Sequence, residues 1–379
     1  NFTDFLTSQP DLNFHNPEVR KANLANMRFW LELGVDGFRL DTVNFYFHDA
    51  MLRDNPPVPK DGDKTLGAPK TNPYTWQQHV HDISQPENLQ FLRELRSLMD
   101  EFPGSTTVGE IGDDHPLARM AEYTAGGDKL HMAYSFDLLG KDSSAPYLHG
   151  LMQKFADKSQ GGWPSWALAN HDVERVGSRW GGPVRNLQKL RLAAAFQMCL
   201  RGSPCLYQGD ELGLPEADVP YEALQDPYGK TFWPNFKGRD GCRTPMPWDG
   251  GDQAGFSRAS PWLPIPAEHR AISIATQEAD AGSVLNQVRR FLAWRRGQPA
   301  LRVGSIRFLD APEPVLAFKR EVEGSMMLVV FNLSPQPVAW KLPTGLSPHP
   351  VDSHGLPSGT LQDGTLALPA RGVYYAVID

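Results

Sequence analysis

Gly37-Phe38-Arg39-Leu40-Asp41 sets an arginine and an aspartate two residues apart in a short apolar run. On a strand, residues i and i+2 face the same way, so Arg39 and Asp41 would project together near a strand's C-terminal end. A guanidinium beside a carboxylate keeps it ionised and oriented, which a carboxylate nucleophile requires at neutral pH. A structural Arg–Asp pair would leave the same pattern. Thr106-Thr107-Val108-Gly109-Glu110 is a second apolar run ending in an acid. Partial burial there would favour the protonated form that a general acid uses. Asn170-His171-Asp172 would close a third strand. His171 could donate to a sugar hydroxyl and Asp172 could accept from two; a capping aspartate beside a core histidine explains the tripeptide equally. Taken together, three carboxylates at the ends of separate strands would converge on one pocket in a barrel. Glycoside hydrolysis uses two of them, about 5–5.5 Å apart where the anomeric configuration is retained. A third would stabilise the positive charge developing at the transition state.

Those side chains have to be positioned by strands and helices. Residues 35–40, 105–111, 131–138, 166–170 and 203–207 read as short strands. A helix opens with Asn16 as N-cap and Pro17 behind it, carries Val19, Leu24, Met27, Trp30 and Leu31, and stops at Gly34. Further helices are expected over 87–100, 187–200 and 284–296. The alternation predicts an α/β fold, a parallel sheet with its site on the loops that follow the strands. Two such loops are long, 46–83 and 208–266, and Trp233, Phe236, Trp248 and Trp262 suggest that the second is ordered. After Pro299 only short β-rich segments remain, at 305–309, 315–321, 326–333, 339–342 and 373–378. They predict a small antiparallel β domain, a sandwich.

Composition narrows the partners. A formal net charge of -7 argues against a phosphate backbone and for a neutral or cationic substrate. No apolar stretch approaches the ~20 residues that span a bilayer. Cys199, Cys205 and Cys242 form no metal-ligand spacing and read as buried reduced thiols. An acidic chain without a disulfide pattern is expected in the cytoplasm, with the periplasm as the other reading.

The motifs GFRLD at 37–41, VGE at 108–110 and NHD at 170–172, in this order, resemble three signature regions of the α-amylase family of glycoside hydrolases. Gln9-Pro10-Asp11-Leu12-Asn13 resembles another. Tyr207-Gln208-Gly209-Asp210-Glu211-Leu212-Gly213 and the run from Gly238 to Trp248, GRDGCRTPMPW, resemble the α-glucosidase and oligo-1,6-glucosidase branch. The resemblance implies a (β/α)8 TIM barrel followed by a small antiparallel β-sandwich domain. It implies Asp41 as nucleophile, Glu110 as acid/base and Asp172 as transition-state stabiliser. Arg39, Thr42, Phe136, His171 and Arg239 would contact substrate, with Phe136 as a wall of the pocket. No cofactor is implied.

One departure is as informative. The family's first signature, Asp-x-x-x-Asn-His at the end of the third barrel strand, is nowhere in the sequence. The strands counted above therefore correspond to barrel strands 4–8. Residues 1–14 would end the domain inserted after strand 3, 15–302 would be the C-terminal part of the barrel, and 303–379 the β domain. Because an eight-stranded barrel takes ~250 residues, this chain is expected to be one piece of a divided protein. An N-terminal fragment of the same protein would complete the barrel, supply a sugar-binding Asp and His, and carry any structural calcium loop.

The resemblance further implies release of α-glucose from the non-reducing ends of maltose and short α-1,4-glucosides through a covalent intermediate, with competing transglucosylation. Thr42, next to the nucleophile, resembles enzymes acting on α-1,4 links; valine there accompanies α-1,6 activity. An α-1,6-glucosidase or a sucrose-cleaving relative is the alternative, and a non-catalytic subunit of a membrane transporter is the rival from another class.

Overall fold

The structure is a computed structural model that describes residues 8–59, 69–182 and 186–378. Residues 1–7, part of the expected 1–14 segment, and residues 60–68 of the first long loop lie outside the described residues. One compact unit takes the described residues up to Asp137 and 154–165; the other takes 138–153 and those from Trp166 onward.

In the first unit, the Asn16 side chain accepts from the Glu18 N–H at 3.0 Å and opens α1 (Pro17–Glu32). Gly34 reverses the chain at φ +101. Leu31 is the one buried residue of α1, while Phe29 and Trp30 stay exposed, so the expected apolar stripe is only partly covered. Strand β1 (Gly37–Leu40) follows. Helix α2 (Glu87–Asp100) buries Phe91, Leu92, Leu95, Leu98 and Met99, one face of a 3.6-residue period. Then come β2 (Thr106–Ile111), α3 (Pro116–Thr124) and β3 (Met132–Ser135). The sheet order is β1-β2-β3, both pairs parallel, with β1 at an edge. Leu40 lies opposite Gly109 and Glu110 opposite Tyr134. Tyr46 stacks on Phe14 at 5.0 Å beside Phe47 and Phe91, anchoring the loop after β1.

Helix α4 (Ala145–Lys158) leads to β4 (Ser165–Ala167), then α5 (Val176–Arg179), α6 (Leu187–Cys199) and β5 (Ser203–Cys205), with β4 and β5 paired. Three of these strands end earlier than the sequence predicts. The apolar run at 131–138 ends its pairing at Ser135, that at 166–170 ends at Ala167, and that at 203–207 ends at Cys205. The hydrophobicity continues because the turns beyond the strands are themselves packed: Leu138, Leu139, Leu168 and Ala169 are buried. Cys199 is buried, as expected, and so is Cys242. Cys205 is exposed, against expectation, because it ends a strand with no described strand on its other edge.

The second unit continues with α7 (Pro227–Phe232), α8 (Ala267–Ala271), α9 (Ile274–Glu278), α10 (Val284–Arg296) and α11 (Pro299–Val303). The loop 208–266 is ordered, but not by all the expected aromatics. Trp248 and Trp262 are exposed, and small clusters of Ala217, Val219, Leu224 and Leu263, and of Leu212, Leu214 and Met246, hold it instead.

The β domain is a sandwich. Strands β6 (Ser305–Phe308), β7 (Val315–Val322), β8 (Ser325–Asn332), β9 (Val338–Lys341), β10 (Pro348–Pro350), β11 (Thr360–Gln362), β12 (Thr365–Leu368) and β13 (Val373–Ile378) form two sheets, ordered β10-β13-β8-β7-β6 and β11-β12-β9. All the pairings are antiparallel. Val315, Ala317, Leu328, Val330, Tyr374 and Ala376 meet Trp340, Leu342, Leu366 and Leu368 between the sheets. The alternate residues Phe331 and Tyr375 face the other way, with ring contacts to Phe196 of α6 and Phe291 of α10. Both faces being buried explains why β7 is apolar from Val315 to Phe318 and β8 from Met326 to Phe331. Arg320 of β7 is fully buried. It donates to the carbonyls of Cys199 at the end of α6 (2.6 Å), Gly304 (2.9 Å) and Ser305 (3.0 Å).

Candidate active site

Strand alternation turns Arg39 and Asp41 to one side and buries Leu40 on the other. Arg39 donates through Nη1 to Asp41, and through Nη2 to Glu110 Oε2 at 2.6 Å and to the Tyr134 hydroxyl oxygen at 3.0 Å. Tyr134 in turn donates to Glu110 Oε1 at 2.7 Å. Two carboxylates from neighbouring strands thus bond adjacent nitrogens of one guanidinium, which keeps them closer than the ~10 Å beyond which no pair can act on one anomeric carbon. Their environments differ: the Asp41 side chain is 69% exposed and that of Glu110 3%. Burial pushes the Tyr134 phenol well above its ordinary range, and the Glu110 charge adds to this, so Tyr134 remains a donor. Burial lowers the Arg39 pKa, but Tyr134, Glu110 and Asp41 outweigh it, and the net direction is upward.

The turn after Asp41 is tied to the end of β2. Thr42 has φ +38, an uncommon conformation for a β-branched residue. The Val43 N–H bonds the Glu110 carbonyl at 3.0 Å, and the buried Asn44 side chain donates to the Gly112 carbonyl at 2.6 Å. Gly109 leaves the room this turn uses: a β-carbon there would sit 2.9 Å from Val43 Cγ1. Phe136 follows β3 directly and packs with Phe45 over Gly112.

The second unit holds the other set. Asp172 lies five residues past the end of β4 rather than on it, and its N–H bonds Asn170 Oδ1 at 2.9 Å. Its Oδ1 accepts from Arg239 Nη1 (3.1 Å) and Arg243 Nη2 (2.8 Å), while His171 Nε2 lies 3.4 Å from its Oδ2. Arg243 also donates to the His171 carbonyl at 2.7 Å. Arg239 is itself held by Asp226, whose Oδ2 accepts from Arg239 Nε (3.0 Å) and N–H (2.8 Å) and whose Oδ1 accepts from Nη2 (2.9 Å). Beneath them the buried Arg175 donates to the carbonyls of Gln208 (2.7 Å) and Cys242 (2.8 Å), which fastens the YQGDELG and GRDGCR loops together.

The structure therefore gathers Arg39, Asp41, Glu110 and Thr42 around β1 and β2, and His171, Asp172 and Arg239 around the loop after β4. Tyr134, Arg243 and Asp226 join these networks without having been singled out in the sequence. Asp226-Pro227 carries the signature of a helix start, and it does cap α7, but nothing local marks it as an arginine anchor. Among the described residues no group of three or more His, Cys, Asp or Glu is arranged to hold a metal ion, and no helix is long and apolar enough to cross a membrane.

Two carboxylates on one guanidinium, at the ends of adjacent parallel strands, are chemistry of a glycosidase kind. Residues 2–304 match the family model for the alpha amylase catalytic domain, and residues 306–374 that for the maltogenic amylase C-terminal domain. The chain belongs to the α-amylase family. Its catalytic domain is of the TIM-barrel class and is followed by the antiparallel β domain, as the motifs implied. A probable alpha-glucosidase of Rhizobium meliloti (strain 1021) is 48% identical over 98% of this chain and 68% of that protein. The oligo-1,6-glucosidase of Parageobacillus thermoglucosidasius is 28% identical over 89% of this chain and 64% of its own length. Among solved structures, the alpha-glucosyl transfer enzyme XgtA has a TM-score of 0.95 at 52% identity, covering 99% of this chain and 70% of that one. The trehalulose synthase MutB from Pseudomonas mesoacidophila MX-45 has a TM-score of 0.82 at 26% identity, covering 99% of this chain and 71% of that one. The chain thus spans between 64% and 71% of the length of these α-amylase family relatives.

Proposed function

We propose that this α-amylase family glycoside hydrolase is a retaining, exo-acting α-glucosidase that releases α-D-glucose from maltose and short α-1,4-glucosides and also transfers glucosyl groups to acceptor alcohols. The observation that carries the reading is the single Arg39 guanidinium bonded to both Asp41 and Glu110. In this reading the Asp41 carboxylate attacks the anomeric carbon while Glu110 gives its proton to the glycosidic oxygen, and the aglycone leaves as an alcohol. Water then attacks the glucosyl ester, and Glu110 takes its proton, restoring both groups. An alcohol in place of water gives a transfer product. Arg39 keeps Asp41 ionised and aimed, and Asp172 with His171 grips sugar hydroxyls. The names of the 48% identical relative and of the 52% identical glucosyl transfer enzyme support glucosyl chemistry of this class. Thr42 beside the nucleophile supports an α-1,4 preference over isomaltose or sucrose.

The test is proton NMR of the first product formed from p-nitrophenyl α-glucoside, maltose, isomaltose and sucrose. Retention gives α-glucose first; β-glucose as first product would rule out the double displacement. Asp41→Asn should lower p-nitrophenol release at least about 1000-fold, and unimpaired turnover would remove the nucleophile assignment.

A further inference from the structure

Of the three guanidinium nitrogens of Arg239, only Nη1 bonds Asp172. Its Nε and Nη2, together with its backbone N–H, go to Asp226, whose side chain is fully buried beside α7. Burial alone would raise the Asp226 carboxyl, but the Arg239 guanidinium outweighs it and holds Asp226 below the usual carboxylate range. Asp226 is in turn fixed from its own backbone. Its N–H and that of Gln225 both donate to the buried Asp240 carboxylate, at 2.8 and 2.5 Å, and its Oδ1 caps the Tyr228 N–H at 3.2 Å. The Tyr228 ring packs against the guanidinium with Cζ 5.5 Å from the ring centroid. The fork is therefore locked on three sides, and a fully extended bidentate grip on Asp172 is denied to it. The Arg239 bond to Asp172 falls on Oδ1, as does that of Arg243, and Oδ2 is the oxygen that His171 faces.

From this geometry we infer that Asp226 is a positioning residue: it restrains Arg239 so that one oxygen of Asp172 stays available for a sugar hydroxyl. This rests on the reading of Asp172 as the group that grips the substrate sugar. Released from Asp226, the guanidinium would turn and pair with both Asp172 oxygens, since the planar bidentate arrangement is the one that Arg and a carboxylate favour. Asp172 Oδ2 would then share its lone pairs with the guanidinium, competing directly with the hydroxyl, and its carboxylate would tilt with the arginine.

Asp226→Asn and Asp226→Ser test this in the full chain. Serine keeps a cap for α7 while removing the second acceptor, so it guards against loss of the helix start. Turnover of p-nitrophenyl α-glucoside by the wild-type chain is the check on the functional reading itself and is measured first. Given that turnover, both variants should fold with melting curves close to wild type and lose about 10- to 100-fold in kcat/KM, mostly in kcat. Because the residue works through Arg239, adding Asp226→Asn to Arg239→Lys should cost no more than Arg239→Lys alone. The wild-type advantage of the glucoside over its 2-deoxy and 3-deoxy analogues should shrink in the variants. Wild-type kcat/KM in both variants, or losses that simply multiply with Arg239→Lys, would overturn the inference. So would a loss matched by the fraction of unfolded protein alone.

Discussion

Glu110 accepts from the Arg39 guanidinium on one oxygen and from the Tyr134 hydroxyl on the other. A hydrogen bond to a charged group contributes ~1.5–3 kcal/mol, so Tyr134→Phe should lower kcat/KM on maltose by roughly 10- to 100-fold. The loss should be smaller with p-nitrophenyl α-glucoside, whose leaving group relies less on protonation. An unchanged rate on maltose would free Tyr134 from any part in the proton transfer. At this scale the sequence was readable where chemistry and local period coincide. Arg39 and Asp41 share a strand face, and Glu110 ends an apolar run, so each stands out against its neighbours. Tyr134 sits in an apolar strand where a tyrosine is indistinguishable from core. Arg243 lies within a recognised motif, but nothing marks that it reaches Asp172 as Arg239 does. Asp226 shows only its capping role, because its bonds to Arg239 span 13 positions that take in α7 and the loop behind it.

Gly37 shows how closely β1 is seated on β2. A β-carbon at this position would lie 2.1 Å from the Thr106 carbonyl oxygen, the partner across the ladder. Gly37→Ala should therefore destabilise the fold by about 1–3 kcal/mol or more and lower the denaturation midpoint in urea; a midpoint equal to wild type would mean that the strands part without cost. Helix limits were legible where a long apolar period runs: α2 and α10 span the expected residues, and α1 begins at the expected Asn16 cap, whereas the short capped helices α7 and α9 carry too little period to show. Helices α3 and α4 were missed; the α3 N-cap His115 makes no side-chain cap bond. The hairpin of β11 and β12 was also missed although its signal is present. Asp363 and Gly364 both have positive φ, the two-residue turn that Asp-Gly favours. Strand lengths failed for a different reason, since packed turns are as apolar as the strands they follow.

Stability of the whole molecule should respond to pH through His269. This ring is buried between the Pro215 carbonyl, 3.0 Å from Nε2, and Thr244 Oγ1, 3.4 Å from Nδ1. Burial, reinforced by the Arg175 charge against the Pro215 bond, pushes its pKa down to about 4. An unfolded histidine titrates near 6.5, so between those values the unfolded chain binds the extra proton. The stability present above pH 6.5 is thus lost as pH falls toward 4, by at most ~3 kcal/mol from this group. His269→Gln should flatten the fall in stability between pH 6.5 and 4.5, measured by urea unfolding; a slope identical to wild type would assign the acid sensitivity elsewhere. The division into an α/β part and a β-rich part was plain in the sequence, because helical periodicity ceases near Pro299. Part of what joins the two was hidden: beside the ring contacts of Phe331 and Tyr375 it includes Arg320, which stands between Lys319 and Glu321 and reads as one more surface charge. Burial lowers the Arg320 pKa to about 9, which still leaves it cationic at neutral pH. Its three carbonyl partners belong to the end of α6 and to the junction that enters β6. A chimera that grafts a foreign sandwich behind Gly304 would inherit two of those acceptors, the carbonyls of Cys199 and Gly304, without their donor. Interchange of this domain between relatives is thereby confined to donors that carry a guanidinium at the same spot.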